Sequence, residues 1–541
     1  MKRHSIHQLA KMILAPCVLY LCTFGLFTYP AMTQFTTHFF ADRGNGLQNV
    51  WNLWWVRKAV IELHQTPWHT RYLHFPYGTT LLGHTLNPFN GYLGIPLHSL
   101  FSWTVTFNLI ILFSFVGGGW AAFRLAYEMT SSYPGSLLGG FIFTFCNYHF
   151  AHAEGHLQLV ALEWIPIFVL LWYRFILKAS LPAAAASALA LLLTLLCDYY
   201  YLFYCLIAAI LMTGWVVVHR GELPLPPRSA YLRPALVFLF LLSLTAGPLI
   251  WSLIDLNHRD PLLGSHPASL FSLDLLAPLI PGGHWRWADW TRSYWSRLPG
   301  NIHESSVHLG TGVTGLLIYG WLGRRRIGLK MPAFWFGLMA VSLILAMGPT
   351  MHIAGKPFGQ VPMPYTFVEM AVPFLKMAGC PVRTVILAIL AAAVIAAGAF
   401  GYLLRQGRRA CWSACAVVAL IVFEYWPKPI PLTRIEPPDY VQALRGQSGA
   451  GGVIDSVSTP SEALYYQTIH EKPLAFGDIA RTPQSVWDGD VRIVQLFDTG
   501  QWERLRQAYG FRYLILRSPP ESLSLTLVFR GQDASLFELR E

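Results

Sequence analysis

Long apolar runs, each closed by a few polar or basic residues, recur along most of this chain. They lie near residues 12 to 29, 104 to 127, 134 to 150, 157 to 177, 181 to 198 and 200 to 218. Further runs follow near 233 to 254, 311 to 323, 332 to 349, 382 to 404 and 410 to 426. A helix needs about 20 apolar residues to cross a bilayer, so the pattern predicts about eleven transmembrane helices. Past Trp426 the texture changes to mixed polar and apolar residues with turn signals. Gly452 to Val457 predicts a strand, Trp502 to Tyr509 a helix and Arg512 to Leu516 a second strand. Leu525 to Phe529 and Ser535 to Leu539, around Gly531-Gln532-Asp533, predict a hairpin. The expected protein is a polytopic α-helical membrane protein, residues 1–426, with a small C-terminal α/β domain, residues 427–541.

Composition agrees, since 54% hydrophobic and 12% charged residues cannot clothe soluble surfaces. The net charge of +11 invites a nucleic-acid reading, but the placement of the basic residues argues against it. Arg174 with Lys178, Arg220 with Arg228 and Arg233, Arg324 to Arg326 with Lys330, and Arg405 with Arg408 and Arg409 fall in every second short loop. By the positive-inside rule this sets the N-terminus in the cytoplasm, and eleven crossings then carry the tail to the periplasmic or extracellular side. Lys2, Arg3 and Lys11 ahead of the first run resemble a signal peptide. Its exit, Tyr29-Pro30-Ala31-Met32-Thr33, lacks a small-x-small cleavage pattern, so a retained helix is expected. The eight cysteines lie in or beside apolar segments, without disulfide or metal-site spacing.

Three long segments, 30 to 103, 255 to 310 and 350 to 381, are expected on the outer side, where they form a roof or a site. Leu47, Val50, Trp51, Trp54 and Trp55 repeat at helical spacing and predict an amphipathic helix lying in the membrane interface. The ionisable residues, with a few amides, gather on the same outer side, in these segments and at the ends of the runs. Asp42, Asn45 and Gln48 open the first; His152, Glu154 and His156 follow the third run; Asp198 ends the fifth. The second long segment adds His284, Arg286, Glu304 and His308, and Lys376 and Arg383 precede a late run. Carboxylates can accept a proton, histidines can shuttle one or bind metal, and cations can hold phosphate. Each residue also has a plain structural reading. Asp42 can cap a helix, Asp198 can end one, Arg383 can anchor one, and His152/Glu154/His156 can form a hydrogen-bonded loop rather than a metal site. Trp285, Trp287, Trp290 and Trp295 suit an interfacial belt or a sugar-stacking face. Gly117-Gly118-Gly119, inside a run, reads as close helix packing.

Gly46-Leu47-Gln48-Asn49-Val50-Trp51-Asn52-Leu53-Trp54-Trp55, His156-Leu157-Gln158 with Glu163-Trp164-Ile165-Pro166, and Pro381-Val382-Arg383 resemble bacterial proteins of the GT-C superfamily of membrane glycosyltransferases. Tyr509-Gly510-Phe511-Arg512-Tyr513 resembles the tail domains of YfhO-type relatives. The resemblance implies a sugar donor on polyprenyl phosphate, a glycan, lipid or protein acceptor, and an outer-face site with an acid of the first long segment as base. Asp42 matches that acid, and Glu154 and Glu304 are the further candidates for catalysis or sugar binding. Arg383, Lys376 or Arg286 would hold the departing phosphate. No cofactor and no metal site are demanded, although the chemistry accommodates a divalent ion. Relatives carry Gly-Asp-Gly where this chain has Gly44-Asn45-Gly46, and asparagine cannot take a proton. Two other classes of function fit the same envelope: a transporter or flippase for a lipid-linked saccharide, and a non-catalytic scaffold for envelope enzymes. Transport predicts charges deep in mid-span and repeated halves, neither of which the sequence displays.

Overall fold

The computed structural model describes residues 8–264, 266–359, 361–372, 375, 379–518 and 525–540. The chain divides into two compact units, one of residues 1–34, 109–247 and 265–430, the other of residues 35–108, 248–264 and 431–541. Residues 35–108 and 248–264, which the hydrophobic pattern assigns to segments of the membrane domain, therefore pack with the C-terminal residues.

The first unit is helical. Each of the eleven apolar runs contains helix, and five helices are long and apolar enough to cross a membrane among the described residues: Ala10–Phe27, Trp103–Thr130, Tyr199–Val218, Arg228–Thr245 and Pro381–Leu404. Leu181–Cys197, Thr311–Leu322 and Pro332–Ala346 are shorter and equally apolar. Three runs are interrupted. Tyr133–Thr144 gives way to Asn147–Ala153, Leu157–Val160 to Trp164–Lys178, and Leu232–Thr245 to Gly247–Arg259, which belongs to the second unit from Pro248 on. The helix Val385–Leu404 is buried from Val385 to Gly401 and packs against Tyr133–Thr144, Thr311–Leu322 and Pro332–Ala346. Its alanines admit close neighbours: a Cβ on Gly139 would lie 3.0 Å from the Ala393 carbonyl oxygen. Small residues let helix backbones approach in this way where no hydrophobic effect drives association. The glycine run behaves likewise, since a Cβ on Gly119 would stand 2.7 Å from the Tyr20 ring.

The second unit is built on a four-stranded sheet in the order Gly452–Asp455, Phe511–Leu516, Ser535–Leu539, Leu525–Arg530. Gly452–Asp455 runs parallel to Phe511–Leu516, and the other two pairs are antiparallel. The helix predicted from Trp502 spans Trp502–Gln507. Pro460–His470, with a Thr459/Glu462 capping box, and Gln484–Asp498 are additional.

The tryptophan helix, Asn45–Arg57, has the predicted period but not the predicted place. It does not lie exposed along an interface: every residue from Gly46 to Val56 is buried, and it packs on Pro460–His470. Trp51 and Trp55 stack with ring centroids 5.9 Å apart. The Trp51 indole N–H donates to Gln467 Oε1 at 2.7 Å, and the Trp55 indole to the Pro67 carbonyl at 2.9 Å. Gln467 in turn donates to the Tyr72 and Lys472 carbonyls. Tryptophan suits both settings, because its large apolar body wants burial while its one N–H needs an acceptor.

Candidate functional site

Four stretches of the first unit meet at one cluster of ionisable side chains. The helix Asn147–Ala153 ends as the backbone turns at Glu154, with the His156 amide donating to the His152 carbonyl at 2.8 Å. This places His152, Glu154 and His156 on a tight turn rather than along one helix face. A second stretch is clamped at its start: Arg286 N–H donates to the Trp426 carbonyl at 2.9 Å, and Lys428 N–H to the His284 carbonyl at 2.8 Å. Its end is shaped by Asn301, whose Oδ1 accepts the Glu304 amide at 2.9 Å. The third is the turn Pro381–Thr384, from which Arg383 projects, and the fourth is the start of Tyr199–Val218.

At the centre, buried Glu304 accepts from Arg383 Nε at 2.9 Å and also from Arg383 Nη2 through the same oxygen. The guanidinium lies over the Tyr200 ring, 4.8 Å from its centroid. The other Glu304 oxygen faces His152 Nε2 at 3.8 Å, and neither atom has a hydrogen-bond partner among the described residues. His152 packs edge-on to Tyr148 and its Nδ1 lies 3.3 Å from His156 Nδ1. Tyr201 donates to the Leu159 carbonyl at 2.5 Å, so the Tyr148 hydroxyl, 3.2 Å away, donates to Tyr201. On the far side of the turn, Glu154 Oε2 is 3.3 Å from His284 Nε2 and 3.8 Å from His303 Nδ1.

Burial governs the protonation of these groups. It holds His152 and His284 below the ordinary imidazole range and brings His156 down to about 4. For Glu304, burial alone would raise the carboxyl, but the Arg383 guanidinium outweighs it and keeps the group below the usual carboxylate range. The cluster at neutral pH is thus a buried ion pair ringed by neutral imidazoles.

Among the sequence candidates, Glu154, Glu304, His152, His156, His284 and Arg383 come together here. Asp198 stands at the edge, its Oδ1 accepting the Tyr200 amide at 2.7 Å, which is the helix-end role. His308 is buried apart from the cluster's ion pair. Asn147 Nδ2 donates to its Nδ1 at 2.6 Å, and burial lowers its pKa to about 4. The Arg286 side chain is exposed. Lys376 lies outside the described residues. Asp42, Asn45 and Gln48 belong to the second unit. There Asp42 Oδ1 accepts the Gly44 and Gly46 amides at 2.8 and 3.1 Å at the head of Asn45–Arg57. The Asn45 carbonyl accepts from Asn49, and Gln48 donates to the Asp478 carbonyl at 2.5 Å. Trp285, Trp287 and Trp290 gather around Phe423, and the Trp295 indole donates to the Ala288 carbonyl. Sequence reasoning missed His303, Ser306, Tyr148, Tyr200 and Tyr201. His303 adjoins Glu304 and was findable; buried tyrosines look like any others.

Comparison with solved structures sets this arrangement in a class. The mycobacterial arabinofuranosyltransferase AftD, as a mutant and without that designation, superimposes with TM-scores of 0.61 and 0.60 at 15% and 13% identity. The matches cover 98% of this chain and 42% and 40% of those chains, so this chain spans about two fifths of AftD's length. This chain therefore shares the fold of that part of AftD. ArnT from Cupriavidus metallidurans bound to undecaprenyl phosphate gives 0.41 at 10% identity, covering 96% of this chain and 97% of that one, a likeness too weak to argue from. The chain belongs to the DUF6311 family, a domain of unknown function whose pattern matches residues 13–425. No curated protein matches its sequence.

Proposed function

We propose that this protein is a membrane glycosyltransferase that moves a sugar from a polyprenyl-phosphate donor to an envelope glycan, lipid or protein acceptor. The observation that carries the reading is the cluster of Glu154, Glu304, His152, His156, His284 and Arg383 within a GT-C fold. A scaffold has no need to bury an arginine and a glutamate, because desolvating two charges costs several kcal/mol each before their attraction repays it. In this reading the protein spans a bacterial inner membrane about eleven times, and the cluster and the C-terminal residues face outward, opposite the basic loops.

Chemically, the reaction is displacement at the anomeric carbon: the acceptor hydroxyl forms the new bond, its proton goes to a carboxylate, and the polyprenyl phosphate leaves with the bonding pair. Asp42 is the proton acceptor in this account. Two backbone amides fix one of its oxygens, and such a positioned base contributes about 10²- to 10⁴-fold. Within the first unit, Arg383 and Glu304 position one another, and the neutral imidazoles of His152 and His156 lie beside them.

Deleting the gene and comparing surface glycans tests the assignment. A defined saccharide unit is lost and returns with the wild-type gene. An unchanged glycan profile in the deletion strain contradicts the proposal.

A further inference from the structure

Glu154, His284 and His303 each offer one ligand atom, and the three atoms lie within 4.8 Å of one another. Hydrogen bonding fixes the role of one His284 ring nitrogen. Ser306 gives its hydroxyl proton to the Ile302 carbonyl at 2.8 Å. Its oxygen, 2.7 Å from His284 Nδ1, therefore accepts from that nitrogen. His284 Nε2, the other ring nitrogen, faces Glu154 Oε2 across 3.3 Å, a gap that a shared cation satisfies. His303 Nδ1 lies 3.8 Å from the same Glu154 oxygen and 3.1 Å from the Ala151 carbonyl.

We infer that Glu154, His284 and His303 form a binding site for a divalent transition-metal ion, of which zinc is the best match. Two imidazoles and one carboxylate are ligands of the borderline kind that zinc favours, and three protein ligands leave a position for water or a substrate oxygen. Access supports an open site: His284 is 2% exposed, whereas Glu154 and His303 are 14% and 21% exposed. Ser306 plays the orienting part usual for a metal-bound histidine, holding the non-ligating nitrogen. The backbone clamp from Lys428 onto the His284 carbonyl fixes the ring's base. The site is separate from the Glu304–Arg383 pair, and metal binding does not depend on the glycosyl-transfer reading. Where that reading holds, the ion supplies a positive charge for the departing phosphate that Arg383, already committed to Glu304, does not have to spare.

The test uses the full chain, purified without a histidine tag in lipid nanodiscs, stripped with chelator and titrated with Zn²⁺ and with Co²⁺. Metal content after gel filtration should reach one ion per chain, and Co²⁺ should develop the visible absorption of a low-coordinate site. E154Q and H284Q should abolish stoichiometric binding. S306A, a mild change, should weaken it by roughly 10- to 100-fold. Wild-type protein that retains no ion, or H284Q or S306A with wild-type affinity, overturns the site. If H284Q fails to fold, S306A still decides. Wild-type protein that binds the ion but transfers no sugar would count against the proposed function alone.

Discussion

Breaking the Glu304–Arg383 pair tests how the cluster is held. Glu304 is 4% and Arg383 11% exposed at the side chain, so neither charge finds water once its partner is gone. Removing one member of such a pair costs about 3 to 5 kcal/mol, because the survivor is left desolvated and unpaired, whereas removing both with volume kept is close to neutral. The variants E304Q, R383M and E304Q/R383M form a cycle. Each single change should lower stability by several kcal/mol, with R383M the worse because it strands an anion and also removes the cation over Tyr200. The double variant should be more stable than the sum of the singles by several kcal/mol, because two losses of about 3 to 5 kcal/mol each far exceed a near-neutral double change. Denaturing-detergent titration in mixed micelles reads all four proteins. Additivity to within about 0.5 kcal/mol would refute the claim that the pair is mutually dependent.

Three other outcomes follow from the packing. Q467L strands the Trp51 N–H and the carbonyls of Tyr72 and Lys472, each orphan costing about 1 to 3 kcal/mol, so the second unit should become protease-sensitive while wild type resists. G140A drives a methyl into the Tyr20 hydroxyl, an overpacking worth about 1 to 3 kcal/mol, and Y20F should recover part of the lost thermal stability. Buried His308 has its pKa lowered to about 4, below the ordinary value near 6.5. The unfolded state then binds the extra proton first, so the contribution is whole above about pH 6.5 and is lost as pH falls towards 4. H308Q should flatten that part of the pH–stability curve, and an unchanged slope would remove His308 from the account.

Much of the helical body is legible in the sequence because apolar length reports environment directly. The interruptions at Phe145–Cys146, Ala161–Glu163 and Ala246 are not, since the runs stay largely apolar across the breaks and hydropathy says nothing of hydrogen-bond continuity. The helix Pro460–His470 carried its own notice in Thr459-Pro460-Ser461-Glu462, a capping box with proline at the helix start, which the hydropathy reading passed over. The tryptophan helix shows the opposite case: periodicity identified it, but could not tell a lipid interface from a partner over 400 residues away in Gln467. The site was half visible. Clustering of His152, Glu154, His156, His284 and Glu304 in two segments was evident, while Arg383 meeting Glu304 across 79 residues required the fold.

The most direct test of glycosyl transfer is an assay of the reconstituted protein with a labelled polyprenyl-phosphate sugar and an envelope acceptor fraction, comparing wild type with D42N. Asparagine caps a helix as well as aspartate does, so D42N should keep the Gly44 and Gly46 contacts, the fold and the unfolding curve. It cannot take a proton. The account predicts label transfer by wild type and its loss in D42N at unchanged stability; no transfer by wild type, or equal transfer by both, contradicts it.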